Sequence, residues 1–418
     1  MLPEKRISTD AMSPSGPARI VLGLGGTIDY EIRWDEQLLR QLAFDHHIRR
    51  EECDSTLPIV DERSLIAVIL GFARERRGGE RFVESADTIE EFAARHHKTI
   101  TLGGTCVRAA LIMRTLGVRS TVHLVSVDDE FRRLYPQDCD YISSAIHDGM
   151  HPHLIVQLPE RGRINLIDGE IAIEGPNRLI FANDPPHVQM LLSPDLEAAV
   201  RASQWILVSG FNVMTDVDLL KERLTELRST LAAKRTDAIV MYEDAGFHSP
   251  QLQTTVRESI ASMVEVYSMN EDELQTHLGR TVDLLDVDSV AHALDDVRAL
   301  IPGPTLVIHT RHWALACGPD AARFAPGLGG GISAATARYV YGDHVTAARI
   351  AAITEFDPPI AHQRFAESIT RAGSEPITIV PAYSVTVEHP TTIGLGDCFV
   401  GGFLAALATS PDGGHTPA

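Results

Sequence analysis

The sequence predicts an α/β protein built on a parallel sheet. Short, β-rich apolar runs alternate with longer helical patterns along much of the chain. Several of these runs are apolar without alternation, as strands covered by helices on both faces are. The chain has 418 residues, enough for two to three structural units or one large α/β domain carrying an insertion. Its 44% hydrophobic and 22% charged residues exclude a wholly disordered chain.

Residues 1–18 are polar and rich in Pro and Ser, so they read as a tail rather than a signal peptide. Arg19–Leu24 is the first expected strand, followed by a glycine turn. Thr99–Leu102 is another, and Gly103-Gly104 then opens a helix over Cys106–Leu116 with Gly117 as its stop. The strand series continues with Thr121–Val125, Trp205–Ser209, Ala238–Tyr242, Met263–Tyr267, Leu306–His309 and Ile377–Val380. His153–Ala182 breaks the rhythm, with short strands joined by Glu-Arg-Gly-Arg and Asp-Gly turns that predict a local antiparallel meander. Such a patch is either a cover over a site or a surface excursion. Gly327–Gly331 precedes a helical pattern and reads as a plain helix-entry loop.

With 37 basic against 57 acidic residues, the formal net charge of −20 argues against a nucleic-acid binder, which needs clustered Lys and Arg. An anionic substrate would need a local device to overcome that repulsion. The longest apolar stretch, Leu65–Phe72, is far short of the ~18–20 residues that span a bilayer. Five scattered cysteines without a Cys-x-x-Cys pair point to a reducing, cytoplasmic setting.

Several motifs fail when tested. In Gly23-Leu24-Gly25-Gly26-Thr27-Ile28-Asp29 the third glycine of a dinucleotide fingerprint is replaced by Ile28, and no Walker-type loop occurs. The eighteen histidines show no metalloprotease spacing and read as surface or polar-core residues. Ser209 is not in a nucleophile elbow, because Leu207 and Phe211 occupy the glycine positions.

Two stretches are more informative. Pro390-Thr391-Thr392-Ile393-Gly394-Leu395-Gly396-Asp397 precedes an apolar run of small residues, Cys398–Ala408. A glycine turn opening a helix leaves backbone N–H groups facing outward, and these bind an anion without a basic side chain. Asp397 in the first turn is either a cap or a base beside that anion hole. Asn270-Glu271-Asp272-Glu273 directly follows a buried-type strand, at the strand end where open α/β sheets bind ligands. It is either a helix start complementing the dipole or, with Glu243 at the end of another strand, a carboxylate set for hydrated Mg2+.

Together these stretches resemble the ADP-dependent sugar kinases, the ADP-dependent glucokinases and phosphofructokinases of the ribokinase-like superfamily. Thr391-Thr392-Ile393-Gly394-Leu395-Gly396-Asp397 is similar to the family's Thr-Val-Gly-Leu-Gly-Asp, and Asn270 to Glu273 to its Asn-x-x-Glu. Met241-Tyr242-Glu243 stands where the family has His-x-Glu, and Asn177-Arg178-Leu179-Ile180 resembles Asn-Arg-Phe-Ile. Gly103-Gly104 matches part of Gly-Gly-x-Ala-Gly, and His309-Thr310 after a strand also fits. The matches run in family order from about residue 20 to 400.

The departures concern the acceptor. The family's first loop reads Gly-x-Asn-x-Asn-x-Asp, whereas here Gly25 and Thr27 replace both asparagines and only Asp29 remains. The resemblance places those asparagines at the sugar pocket, so the acceptor need be neither glucose nor fructose 6-phosphate. Met241 replaces the histidine of His-x-Glu, and the Gly-Gly segment continues as Thr105-Cys106-Val107.

The resemblance implies a ribokinase-like three-layer α/β/α sandwich with a smaller β-rich lid. The large domain is expected over 19–30, 96–147 and 183–408, the lid over 31–95 and 148–182, and a C-terminal tail over 409–418. It implies an ADP-dependent kinase giving AMP and a sugar phosphate, with Asp397 as base and Gly394, Leu395 and Gly396 as the anion hole. Glu243, Glu273 and Glu271 would place Mg2+, and Asn270, His309 and Thr310 would lie at the nucleotide. Arg178 would reach a phosphate from the lid, while Asp29, Gly103, Gly104 and Glu80 would hold the sugar. The alternatives are an ATP-using ribokinase-like kinase and a catalytically weak sugar- or nucleotide-binding protein. With a strongly acidic chain and a polyanionic ligand, nucleotide affinity is expected to depend strongly on Mg2+.

Overall fold

The computed structural model describes residues 20–149, 151–247, 249–387 and 390–410, so the expected N-terminal tail and residues 411–418 lie outside the described residues. In chain order the strands are β1 (Ile20–Leu22), β2 (Thr27–Arg33), β3 (Gly79–Phe82), β4 (Lys98–Gly103), β5 (Thr121–Leu124) and β6 (Asp140–Ser143). They continue with β7 (His153–Leu158), β8 (Arg161–Leu166), β9 (Gly169–Glu174), β10 (Asn177–Ala182) and β11 (Trp205–Val208). The series closes with β12 (Ile239–Glu243), β13 (Val266–Asn270), β14 (Thr305–His309), β15 (Trp313–Cys317) and β16 (Ile377–Pro381).

Nine of them form one sheet in the order β16-β15-β14-β13-β12-β11-β1-β5-β6, parallel except that β15 runs against both its neighbours. Alternate residues of the parallel strands enter two separate cores. Leu22, Leu207, Met241 and Val266 pack on one face with the helices Thr105–Thr115, Ala325–Tyr341 and Leu395–Thr409. Val21, Ile206, Val240 and Tyr267 pack on the other with Val217–Leu231 and Val287–Leu300. Helices on both faces make three layers, the reason these strands are apolar throughout. No helix among the described residues is long and apolar enough to cross a membrane.

A smaller sheet of order β3-β10-β7-β2-β4 carries the hairpin β8–β9 beside it. β7 and β10 pair antiparallel, as the meander predicts, but β7 also pairs parallel with β2. Two expectations need correcting here. Residues 27–30 and Lys98–Gly103 fall inside the expected large-domain segments 19–30 and 96–147, yet they belong to β2 and β4 of the smaller sheet, whereas residues 31–33 of β2 lie in the expected lid segment. Chain passage between the sheets comes at Gly25-Gly26 and Gly103-Gly104, glycine pairs that read as mere turns in the sequence. Gly327–Gly331 is no entry loop but lies inside the helix Ala325–Tyr341. Gly327, Gly330 and Gly331 face the helix Leu395–Thr409: a Cβ on Gly330 would meet Gly402 O at 2.6 Å, and one on Gly331 would meet the Phe399 ring at 2.5 Å. Close helix approach outweighs the poor helix propensity of glycine.

Candidate active site

Gly394, with φ of 69°, caps the helix Leu395–Thr409, and no side chain caps that end. The amides of its first turn therefore remain available to an anion. Position 394 is closed to other residues twice over, by its left-handed backbone and because a Cβ would meet Arg108 Cδ at 2.8 Å. Asp397 sits in the first turn with its side chain 23% exposed. The loop ahead of it is tied to the smaller sheet, where Gln157 Nε2 donates to the Pro390 carbonyl at 3.0 Å.

Asp29, on β2, is buried beside that turn. Its Oδ1 accepts from Thr27 Oγ1 at 2.7 Å and its Oδ2 from Arg108 Nη2 at 2.9 Å. Gly103 faces it across the β2–β4 pair, and a side chain there would collide with both Asp29 oxygens and the Thr27 hydroxyl. Gly104 then caps the helix Thr105–Thr115. Arg108, one turn into that helix, also donates to Glu31 Oε1 at 2.9 Å, and its Nε lies 3.9 Å from Asp397 Oδ2. Burial alone would favour a neutral guanidine, but Asp29, Glu31 and Asp397 outweigh it and hold Arg108 charged, well above the usual arginine range. Arg108 thus joins the carboxylate of Asp29 to that of Asp397 in the glycine turn. Sequence reasoning missed it; the available signal was an arginine within the apolar stretch Cys106–Leu116.

Glu80, half-buried on β3, accepts from Asn212 Nδ2 at 3.3 Å. Nearby, Asp184 Oδ2 lies 3.1 Å from His153 Nε2 and 2.7 Å from His187 Nδ1. Burial would raise the Asp184 pKa, yet the two imidazoles outweigh it and hold the carboxyl well below the usual range. His153 is affected in the opposite sense: burial opposes its charge, and the Asp184 hydrogen bond wins and raises its pKa. This group was also missed, its histidines having read as surface or polar-core residues.

Three adjacent strand ends build the other wall. Glu243 ends β12, Asn270 ends β13 and His309 ends β14, with Asn270 and His309 in register. His309 Nε2 is 2.9 Å from Glu243 Oε1, and its ring stacks on Phe399 at 4.4 Å between centroids, next to Gly396. His309 therefore bridges the carboxylate wall and the catalytic turn. Thr310 serves the β14–β15 turn, its hydroxyl donating to the Trp313 carbonyl and accepting from the His312 and Trp313 amides.

Asn270 and Glu273 form a capping box. Asn270 Oδ1 accepts from the amides of Asp272 and Glu273, while Glu273 accepts from the Asn270 amide and from Asn270 Nδ2, each at 2.8 Å. Glu273 is buried, and burial first, then Asp244 and Glu243, push its pKa well above the usual range. Asp244 itself accepts from the hydroxyls of Tyr242 and Tyr267 and pairs with His277 Nε2 at 2.6 Å. Arg178, exposed on β10, opposes the Glu273 shift from the smaller sheet. Glu271 starts the helix Glu271–Leu278, its pKa raised chiefly by burial and opposed by His309.

A divalent cation fits this wall. Glu243 Oε2 is buried without a hydrogen-bond partner, and Glu243, Asp244 and Glu273 accumulate like charge that a cation would relieve. Among the described residues no group of three or more His, Cys, Asp or Glu side chains is placed to hold a metal directly. Contact through metal-bound waters, the usual habit of Mg2+, suits that spacing.

Solved structures share this architecture. A hypothetical ADP-dependent phosphofructokinase from Pyrococcus horikoshii OT3 is 16% identical, covers 95% of this chain and 99% of its own, and superposes with a TM-score of 0.72. A phosphofructokinase from the same organism, with AMP, is 15% identical with coverage of 95% and 99% and a TM-score of 0.71. An ADP-dependent kinase in complex with fructose 6-phosphate and ADPβS is 13% identical, covers 94% of each chain and gives a TM-score of 0.74. No curated protein sequence matches the chain. The fold is the one these phosphofructokinase and kinase structures share. More narrowly, the chain belongs to the ADP-specific phosphofructokinase/glucokinase family, whose conserved region matches residues 18–317. It is a kinase that phosphorylates a sugar hydroxyl.

Proposed function

We propose that the protein transfers the β-phosphoryl group of ADP to a hydroxyl of a sugar or sugar phosphate, releasing AMP. The observation that carries this is the junction at Arg108, which puts Asp29 and Asp397 on one guanidinium beside an uncapped helix N-terminus. Asp397 accepts the acceptor's hydroxyl proton as that oxygen attacks the β-phosphorus. The bond from phosphorus to the bridging oxygen breaks, and AMP leaves with that oxygen. Amides across Gly394, Leu395 and Gly396 receive the charge on the transferred group.

Mg2+ would supply positive charge to the phosphates, with Glu243 and Glu273 holding it through water and Glu271 at the edge of the same wall. Asp29, Gly103, Gly104 and Glu80 line the acceptor side. Asn270, His309 and Thr310 lie at the strand ends beside the nucleotide, and Arg178 comes from the smaller sheet, which covers the cleft.

The test is an acceptor panel including D-glucose and fructose 6-phosphate, run with ADP or ATP and Mg2+. AMP release from ADP supports the proposal, and turnover with ATP alone refutes the choice of donor. Asp397→Asn should lower kcat by roughly 10²–10⁴ while ADP still binds; near-normal turnover would remove Asp397 as the base.

A further inference from the structure

We infer that His187, aimed by Asp184, is an acceptor-binding residue that reads one hydroxyl of the sugar; this rests on the sugar-kinase reading of the site. The short helix Pro185–Gln189 directly follows β10, and Asp184 caps it, Oδ1 accepting from the His187 amide at 3.1 Å. Asp184 Oδ2 holds both His187 Nδ1, at 2.7 Å, and His153 Nε2, at 3.1 Å. All three side chains are buried. With Nδ1 committed to the carboxylate, Nε2 is directed away from Asp184.

Nε2 points at Gly25. A Cβ added at Gly25 would clash with Nε2 and lie 2.7 Å from Cδ2, so the imidazole occupies the space a side chain at position 25 would need. Gly25 lies on the short link between β1 and β2 that leads into Thr27 and Asp29. The cluster lies beside Asp29 and Glu80. His153 is in register with Asp29, and the charges of Asp29 and Glu80 both act on it. A polar group for position 25 is thus delivered from a different element and fixed there by a buried carboxylate. An imidazole nitrogen held in this way can donate to or accept from a sugar hydroxyl. Asp184 is the positioning residue of this unit.

The experiment compares Gly25→Asn, His187→Ala and the double variant, with D-glucose and fructose 6-phosphate as acceptors and ADP as donor. His187→Ala should raise the acceptor KM roughly tenfold, leaving the ADP KM within about twofold. Gly25→Asn should impair sugar use further, because its side chain and the ring need one space. The double variant should use the sugar better than Gly25→Asn alone, and melting temperatures should follow the same order. An active wild type whose acceptor KM and sugar preference are unmoved by His187→Ala overturns this inference alone. So does a Gly25→Asn defect equally severe with or without the ring. A wild type that releases no AMP with either sugar overturns the kinase reading, and this inference with it.

Discussion

Arg108 is the strongest single test of how the site is assembled. Its guanidinium sits 2.9 Å from Asp29 and from Glu31 and 3.9 Å from Asp397, with the Arg108, Asp29 and Glu31 side chains only 7%, 7% and 15% exposed. At an effective dielectric of about 20, a pair at that shorter distance is worth roughly 6 kcal/mol before desolvation is subtracted. Arg108→Met removes the cation and strands two buried carboxylates beside a third. Breaking buried pairs in this way lowers stability by about 3–5 kcal/mol. Removing one stranded charge should recover part of that loss, so Arg108→Met/Glu31→Gln should be more stable than Arg108→Met by about 1–2 kcal/mol. Arg108→Lys should fall between, since an ammonium lacks the planar fork that spans two carboxylates. Urea denaturation of wild type, Arg108→Met, Glu31→Gln and the double variant, followed by tryptophan fluorescence, measures the cycle. A loss below about 1 kcal/mol for Arg108→Met, or simple additivity with Glu31→Gln, would refute the argument that this arginine holds the carboxylates together.

Gly330→Ala should destabilise by about 1–3 kcal/mol, because the new methyl meets the Gly402 carbonyl at 2.6 Å, whereas Gly329→Ala, facing open space, should stabilise by about 0.5–1 kcal/mol. Equal effects on the urea midpoint would contradict the helix crossing. For Asp184→Asn the loss should depend on pH with a definite sign. The raised His153 pKa contributes stability that is full below 6.5 and fades as pH rises above it, while the depressed Asp184 pKa contributes above 3.8 and fades as pH falls. The gap in melting temperature from wild type should therefore be widest between those values; a gap that grows as pH rises above 6.5 would be the wrong sign. Glu273→Gln should raise the Mg2+ concentration needed for half-maximal AMP release several-fold, and an unchanged Mg2+ titration counts against its place at the metal.

The large sheet was legible because its strands carry their signal locally. A run such as Trp205–Val208 is apolar on both faces whatever the partner, and the strand ends bearing Glu243 and Asn270 follow from where such runs stop. The turn at Gly394 is likewise a local feature. What stayed hidden depends on partners distant in sequence. Nothing local tells that β2 leaves the large sheet after Gly26, since its pairing partners begin at residues 98 and 153. Four glycines in a row of five invite a loop until the facing helix is known. Arg108 reads as one cation in a helix, and only Asp29, Glu31 and Asp397, drawn from two sheets' surroundings, make it a junction.

The strand order of the large sheet also bears on how the chain is made. From β1 outward, β11 to β16 lie side by side in the order they leave the ribosome, so each new strand finds its template already in place. β1 is different: Ile20 pairs with Trp205, 185 residues later, and until then one of its edges stands open. The helix bearing Asp397 comes later still, and it seats between Thr105–Thr115 and Ala325–Tyr341, two helices finished long before. A nascent chain can therefore hold most of its sheet and still lack the base and anion hole. Phosphoryl transfer would begin only once synthesis has passed the residues near position 400, and a premature stop before them would release a chain without Asp397 and with the core face of Phe399, Phe403 and Leu404 unfilled.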